Sequence, residues 1–189
     1  MSIKDDLIKR GIVQKGHFKL SSGFHSNVYI NKDSIYLHPD LYERVVDEIT
    51  DLIVAKVSKQ ELEAVIGLEK GSMPLAGPAA IMVDRPFMYA DKKGKAFTFR
   101  KSYSENIAGK AVIIIEDIIT TGKSLSKAIK AIRDLKGKVT AIFCIWNRNK
   151  HLKKISGVNI YSLIDERVDY WKKSVCLLCK KNIRYTKIK

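Results

Sequence analysis

The sequence predicts an α/β protein: a mainly parallel β-sheet flanked by helices, with a small N-terminal hood. From Ala64 onward, short β-branched apolar runs alternate with helical stretches, which is typical of a parallel sheet covered on both faces. The first 60 residues lack this alternation, and no linker follows them, so we expect them to form the hood. With 189 residues, of which 46% are hydrophobic, the chain suffices for a single domain with a sizeable core.

The hood, residues 1–60, is predicted to contain few regular elements. A short helix is expected over residues 3–10, the core of a strand over residues 28–30 and a longer amphipathic helix over residues 40–56. Residues 16–33 are expected to form a turn between two short strands. These elements are expected to pack onto the sheet.

The core, residues 61–170, is predicted to alternate strands with helices. The predicted strands cover Ala64–Leu68 and residues 86–90, 112–115, 139–146 and 158–163, and the predicted helices cover residues 73–83 and 122–135. The second helix has apolar residues at spacings of three and four, the pattern of one buried face: Leu125, Ala128, Ile129 and Ile132. Residues 91–110, called the lid below, are polar, carry two glycines and lack sustained periodicity, as expected of a mobile loop.

An acidic pair follows the most apolar of these strands, in the sequence VIIIEDIITTGKS at residues 112–124. Glu116 and Asp117 come first, and a Thr-Thr-Gly turn then opens the helix at Gly122. The first amides of a helix lack partners and attract phosphate, whereas carboxylates repel phosphate and bind hydroxyls or a metal ion. A sugar phosphate fits both halves of the motif.

Two other interpretations of this motif are weaker. A nucleotide-binding P-loop requires glycine five positions before Gly122, and Asp117 stands there instead. A purely structural strand followed by a capped helix would leave two ionised carboxylates at the end of an apolar strand without a ligand, which is uncommon.

The motif resembles that of the type I phosphoribosyltransferases, which bind 5-phosphoribosyl-1-pyrophosphate (PRPP) and share the type I phosphoribosyltransferase fold. The resemblance implies that Glu116 and Asp117 hold the ribose hydroxyls. It also implies that backbone amides of the following loop hold the 5′-phosphate, over Thr120, Thr121, Gly122, Lys123 and Ser124.

A second segment, GHFKLSSGFHSNVYINKD at residues 16–33, resembles the orotate phosphoribosyltransferases. That resemblance extends over nearly the whole chain, including the turn after Ala64–Leu68, the lid, Arg148 and a terminal Cys-x-x-Cys. It implies transfer of the phosphoribosyl group from PRPP to orotate with Mg²⁺, giving orotidine 5′-monophosphate and pyrophosphate. Arg148 would take the orotate carboxylate, and the base would lie near His25, Tyr29 and Ile30.

The resemblance also implies how the leaving pyrophosphate is stabilised. PRPP would hold the Mg²⁺, with no direct metal ligand from the protein, and cations would assist from Lys70, Lys92, Lys95 and Arg100. Lys92, Lys95 and Asp117 are the predicted catalytic residues. Relatives share lid residues between subunits, so a homodimer is expected. Two lid positions depart from the best-known members of the family: Asp91 replaces an arginine and Phe97 a histidine.

Two rival functions stay open, and the net charge of +15 slightly favours the second of them. One is a phosphoribosyltransferase for a purine or another base, and the other is a PRPP-sensing regulator that binds nucleic acid. Nucleic acid is a less expected partner, because the lysines are scattered along the chain and a polyphosphate substrate also favours a basic cleft. A lysine-rich solvated surface would explain the charge equally well. No signal peptide or membrane span is predicted, so a cytoplasmic location is expected.

The three cysteines are predicted to differ in role. Cys144 lies in an apolar run and is expected in the core. Cys176 and Cys179 have the spacing of half a zinc site, but four ligands are usual and the sequence holds no second cysteine pair. A site shared across a dimer is one alternative, and a disulfide is not expected in a reducing cytosol.

Overall fold

The computed structural model describes residues 1–20, 23–94 and 96–188. Within these ranges the strands are β1 (Val13–Lys19), β2 (His25–Ile30), β3 (Ala64–Leu68), β4 (Phe87–Lys93), β5 (Ala96–Thr98), β6 (Ala111–Ile119), β7 (Lys138–Asn147), β8 (Lys154–Ile155), β9 (Val158–Asp165), β10 (Tyr170–Trp171) and β11 (Thr186–Lys187). The α-helices are α1 (Ile3–Lys9), α2 (Pro39–Lys56), α3 (Glu69–Met82), α4 (Lys101–Ile107), α5 (Lys123–Asp134) and α6 (Leu177–Lys180).

The chain divides into two compact units. Unit 1 combines Met1–Leu41 with Arg167–Lys189, and unit 2 is Tyr42–Glu166. The two ends of the chain therefore belong to the same unit, which the sequence did not predict. The expectation of a single domain over residues 1–189 stays a prediction.

Unit 1 contains a four-stranded sheet in the order β10-β2-β1-β11. The hairpin β1–β2 is antiparallel, β10 pairs antiparallel with β2, and β11 pairs parallel with β1. Helix α1 precedes the hairpin, and the Ser2 hydroxyl caps it by accepting a hydrogen bond from the Asp5 N–H at 3.1 Å. The predicted helix and the two predicted strands around residues 16–33 are thus present.

Unit 2 contains a seven-stranded sheet in the order β5-β4-β3-β6-β7-β9-β8. The four inner pairings, from β4 to β9, are parallel, and only the edge strands β5 and β8 pair antiparallel. Helix α5 buries the four apolar residues that predicted its inner face, namely Leu125, Ala128, Ile129 and Ile132. The predicted mainly parallel sheet flanked by helices is confirmed.

The lid contains regular structure where the sequence predicted none. Strand β4 continues to Lys93, β5 pairs back onto it, and α4 follows. Phe97 and Ile107 are buried in the core of unit 2, with 6% and 0% of their surfaces exposed, and they anchor the hairpin and the helix. Helices of seven residues are marginal in isolation, so these short elements depend on tertiary packing that leaves little periodicity in the sequence.

Candidate functional site

The acidic pair lies within β6, which continues four residues beyond the predicted end of the strand, to Ile119. Ile119 pairs with Asn147 of β7, so the carboxyl ends of the two strands meet at the same edge of the sheet. Successive side chains of a strand point to opposite faces. Accordingly, Glu116 is half-buried and lines a cavity, whereas Asp117 is 4% exposed and is not among the residues described as lining it.

That cavity, of about 170 Å³, lies over the start of α5. All five residues predicted to hold the 5′-phosphate line it together with Glu116, the others being Ile118, Ile119 and Leu125. Helix α5 has twelve residues, and the amides of its first turn have no partner within the helix, so they favour an anion at this end. The cavity therefore combines one carboxylate with an anion-binding helix terminus.

Gly122 fixes the shape of this loop. Its φ of +70° lies in the left-handed region, which strains any residue with a Cβ atom. A Cβ at this position would also lie 2.5 Å from Cδ1 of Ile155. Glycine is thus required both by the backbone conformation that begins α5 and by the close approach of β8.

Lys70 lies in the first turn of α3, not in a separate turn before the helix as predicted. The Ser72 hydroxyl donates to the Leu68 carbonyl at 2.7 Å and accepts from the Leu68 N–H at 2.6 Å, which stabilises an abrupt strand-to-helix transition. Glu69 enters the helix with a φ of +54°, an uncommon conformation for a residue other than glycine. The side chain of Lys70 is exposed.

The lid places two of its three predicted cations beside carboxylates. Lys92 Nζ lies 3.1 Å from Glu69 Oε1, and Arg100 Nε lies 3.9 Å from Asp91 Oδ2. The Arg100 guanidinium also lies 5.2 Å from the centre of the Tyr89 ring, within range of a cation–π interaction. The third, Lys95, lies outside the described residues.

Arg148 follows β7 at the edge where β6 ends. Its backbone N–H donates to the Ile119 carbonyl at 2.8 Å, and its side chain is half-buried. The buried Asn147 side chain holds the turn, because it donates to the Leu152 carbonyl at 3.0 Å and accepts from the Asn149 N–H at 3.1 Å. Arg148 is thus held next to the strand that carries the acidic pair.

Cys144 is fully buried in β7, as predicted. Burial raises the pKa of its thiol well above the ordinary range, and the carboxylates of Glu116, Asp117 and Asp165 raise it further. The thiol therefore stays protonated and serves as a core side chain.

The three residues predicted near the base, His25, Tyr29 and Ile30, all lie in β2 of unit 1. The Tyr29 ring packs 5.7 Å from that of Phe18, and both Tyr29 and Ile30 are half-buried. His25 is fully buried, with Nδ1 2.7 Å from Nε2 of His17. Burial and the neighbouring His17 lower the pKa of His25, so its ring is neutral at pH 7.

The comparisons with known proteins identify the family. Residues 38–178 match the phosphoribosyl transferase domain. The chain belongs to the phosphoribosyltransferase family. The phosphoribosyltransferase is 31% identical over 147 residues to the orotate phosphoribosyltransferase of Caulobacter vibrioides, an alignment that covers 78% of this chain and 74% of that relative. The family establishes that the chain is an enzyme of the pentosyltransferase class.

Solved structures agree with the fold of this phosphoribosyltransferase. The crystal structure of orotate phosphoribosyltransferase from Aeropyrum pernix is 28% identical with a TM-score of 0.69, and the match covers 86% of this chain and 92% of that one. An adenine phosphoribosyltransferase from Thermoanaerobacter pseudethanolicus, 18% identical with a TM-score of 0.60 over 72% of this chain and 87% of that one, shares the fold alone. The type I fold predicted from the sequence is confirmed. None of the helices among the described residues is long and apolar enough to cross a membrane.

Proposed function

We propose that this phosphoribosyltransferase transfers the 5-phosphoribosyl group from PRPP to orotate, giving orotidine 5′-monophosphate and pyrophosphate in pyrimidine nucleotide synthesis. The observation that carries the proposal is the 31% identity to an orotate phosphoribosyltransferase over 78% of the chain. The cavity at the start of α5 supports the PRPP half of the reaction, since it joins a carboxylate to the first amides of a helix, which have no partner within the helix. A cytoplasmic location fits this role and stays a prediction.

In the proposed complex the 5′-phosphate lies on the amides from Thr121 to Ser124, and Glu116 accepts hydrogen bonds from the ribose hydroxyls. Glu116 is well placed for this because it lines the same cavity as the loop. Asp117 lies on the other side of the strand and is only 4% exposed. Its Oδ1 accepts a hydrogen bond from the Ile118 N–H at 2.5 Å. Asp117 is proposed to be catalytic: its negative charge would stabilise the positive charge that develops on the ribose in the transition state.

The donor set at this edge of the sheet fits Mg²⁺, which prefers carboxylate, phosphate and water oxygens over nitrogen or sulfur. PRPP itself would supply the oxygens that hold the ion, with no direct ligand from the protein, and the Glu116 carboxylate lines the same cavity. When bound, Mg²⁺ neutralises charge on the departing pyrophosphate. Lys70 and Lys92 would hold the same pyrophosphate, for which Lys92 must leave Glu69. Lys95 and Arg100 are proposed to act on the site of a partner subunit in a homodimer.

The experiment that tests this proposal follows orotate by its ultraviolet absorbance in the presence of PRPP and Mg²⁺. Turnover is expected with all three present. Absence of turnover, together with saturable binding of PRPP, would contradict the choice of orotate and move the search to other bases and then to nucleic acid.

Omitting Mg²⁺ is expected to reduce orotate turnover to background, because the charge on the leaving pyrophosphate is then not neutralised. The measurement uses protein dialysed against Mg²⁺-free buffer, followed by a titration with MgCl₂. Recovery by Mg²⁺ alone would show that Mg²⁺ is the metal that turnover requires. Full activity in the dialysed protein, with Mg²⁺ at a lower molar concentration than the enzyme, would show that turnover does not depend on Mg²⁺.

Gly122→Ala is expected to destabilise the protein by about 1–2 kcal/mol and to raise the KM for PRPP, because alanine is strained at this φ and displaces the loop amides. The matched control is Gly157→Ala, which has a similar φ of +86° but no atom within 4 Å of the added Cβ. Thermal unfolding and steady-state kinetics measure both effects. An equal rise in KM for the two variants would show that the Gly122 loop does not hold PRPP.

A further inference from the structure

Four potential metal ligands from distant parts of the sequence meet in unit 1: His17, His25, Cys176 and Cys179. Their ligand atoms all lie within 4.8 Å of one another. His17 comes from β1 and His25 from β2, and the cysteines flank the start of α6, between β10 and β11. We propose that these four side chains form a structural Zn²⁺ site.

Three nitrogen–sulfur distances among the ligand atoms match those around one tetrahedral ion. Zn–N bonds of about 2.0–2.1 Å and Zn–S bonds of about 2.3 Å place tetrahedral nitrogen and sulfur ligands about 3.6 Å apart. The corresponding distances here are 3.5 Å from Cys176 Sγ to His17 Nε2, 3.8 Å from Cys179 Sγ to His17 Nε2 and 3.4 Å from Cys179 Sγ to His25 Nδ1. The two imidazole nitrogens, 2.7 Å apart, would separate by roughly 0.6 Å to admit the ion.

The hydrogen bond of His17 selects the tautomer that a metal needs. Nδ1 of His17 lies 2.7 Å from the backbone carbonyl of Ile183. A carbonyl only accepts, so Nδ1 carries the proton and Nε2 presents its lone pair to the other three ligands. Zinc-binding histidines commonly donate their second N–H to a backbone carbonyl, which also fixes the ring orientation.

Burial indicates a structural site rather than a catalytic one. His25 and Cys176 are fully buried, His17 is 4% exposed and Cys179 is half-buried. The Tyr185 ring covers the histidines, with its centre 5.0 Å from that of His25. Four protein ligands complete a tetrahedron and leave no open position for water or substrate.

The ligand types favour zinc over other ions. Two thiolates and two imidazoles in a tetrahedral arrangement suit Zn²⁺, and carboxylate-preferring ions such as Mg²⁺ and Ca²⁺ do not match them. Zn²⁺ also binds such sites more tightly than Mn²⁺ or Fe²⁺ does. The competing interpretation is a buried His17–His25 hydrogen bond beside two protonated thiols, with no ion.

The proposed ion would connect the N-terminal hairpin to the C-terminal segment. Cys176 lies 159 positions from His17 in the sequence, and Cys179 lies 154 positions from His25. The half site predicted from the cysteines is thus completed within one chain, not across a dimer. His25 receives a structural role in place of the substrate contact that the family resemblance implied.

The test is the zinc content of the full-length chain, purified under reducing conditions without a chelator or a histidine tag, by mass spectrometry of metals. About one Zn²⁺ per chain is expected, falling to background in Cys176→Ser and Cys179→Ser. The matched controls are Cys144→Ala, which removes the cysteine of β7, and His151→Ala, which removes an exposed histidine. Both controls are expected to keep the zinc.

Two measurements on the unaltered protein apply even if the cysteine variants do not fold. Replacement of the metal by Co²⁺ is expected to give the visible absorption of a tetrahedral thiolate site. Cys176 and Cys179 are expected to resist alkylation until a strong chelator is added. The proposal is overturned if the reduced protein holds no zinc after incubation with Zn²⁺ and both thiols react equally fast with and without chelator.

Discussion

Replacing Arg148 with alanine is expected to lower kcat/KM for orotate by about thirtyfold or more. A guanidinium binds a carboxylate through two parallel hydrogen bonds, and removing one partner of such a buried pair costs about 2–5 kcal/mol. Arg148 is half-buried, and its backbone is held by its N–H bond to the Ile119 carbonyl at 2.8 Å. Steady-state kinetics with orotate and PRPP measure the effect.

The proposed role of Arg148 concerns the base, so the KM for PRPP is expected to change little. Arg148→Lys keeps the charge but loses the planar fork and should recover only part of the activity. Arg133→Ala removes an exposed arginine of α5 and serves as the control. A kcat/KM for orotate within twofold of the unaltered enzyme in Arg148→Ala would show that the carboxylate is bound elsewhere.

Asp117→Asn is expected to cut turnover at least tenfold, equivalent to about 1.4 kcal/mol in the activation free energy. Asparagine has nearly the same shape and its oxygen can still accept the Ile118 N–H, so the change removes charge with little loss of packing. The lost charge no longer stabilises the positive charge that develops on the ribose. Single-turnover and steady-state rates with saturating PRPP measure the loss.

Glu116→Gln provides the matched comparison, because Glu116 faces the cavity and Asp117 does not line it. We expect Glu116→Gln to raise the KM for PRPP and Asp117→Asn to lower kcat. Glu105→Gln, an exposed change on α4, should leave both constants unaltered. Near-normal kinetics in Asp117→Asn would show that Asp117 is not a catalytic residue.

The fold was predictable where a segment carries its own pattern. Strand β3 has the predicted bounds, because a fully buried apolar run contrasts with its polar flanks. Helix α5 begins and ends within a residue of its predicted limits, since its apolar face repeats regularly. The lid elements were missed because they depend on the burial of single residues such as Phe97 and Ile107 in a distant core.

In the candidate site, too, the residues that are close in the sequence were predictable and those brought together from distant positions were not. The phosphate loop was predictable because Glu116 and residues 120–124 are close in the chain and follow one strand. The partners of Cys176 and Cys179 were not, since the pairing of β11 with β1 brings them to His17 and His25 across more than 150 positions. The only signal in the sequence was that two histidines lie in the hairpin segment at residues 16–33.

The proposed choice of base is tested most directly by a competition assay with PRPP, Mg²⁺ and equal amounts of orotate, uracil, adenine and hypoxanthine, with the nucleotide products separated and identified. Orotidine 5′-monophosphate is expected as the dominant product, and it is expected to be lost in Arg148→Ala. A purine nucleotide as the main product would contradict the proposed substrate. If no nucleotide forms while PRPP still binds, a PRPP-sensing regulator becomes the better interpretation.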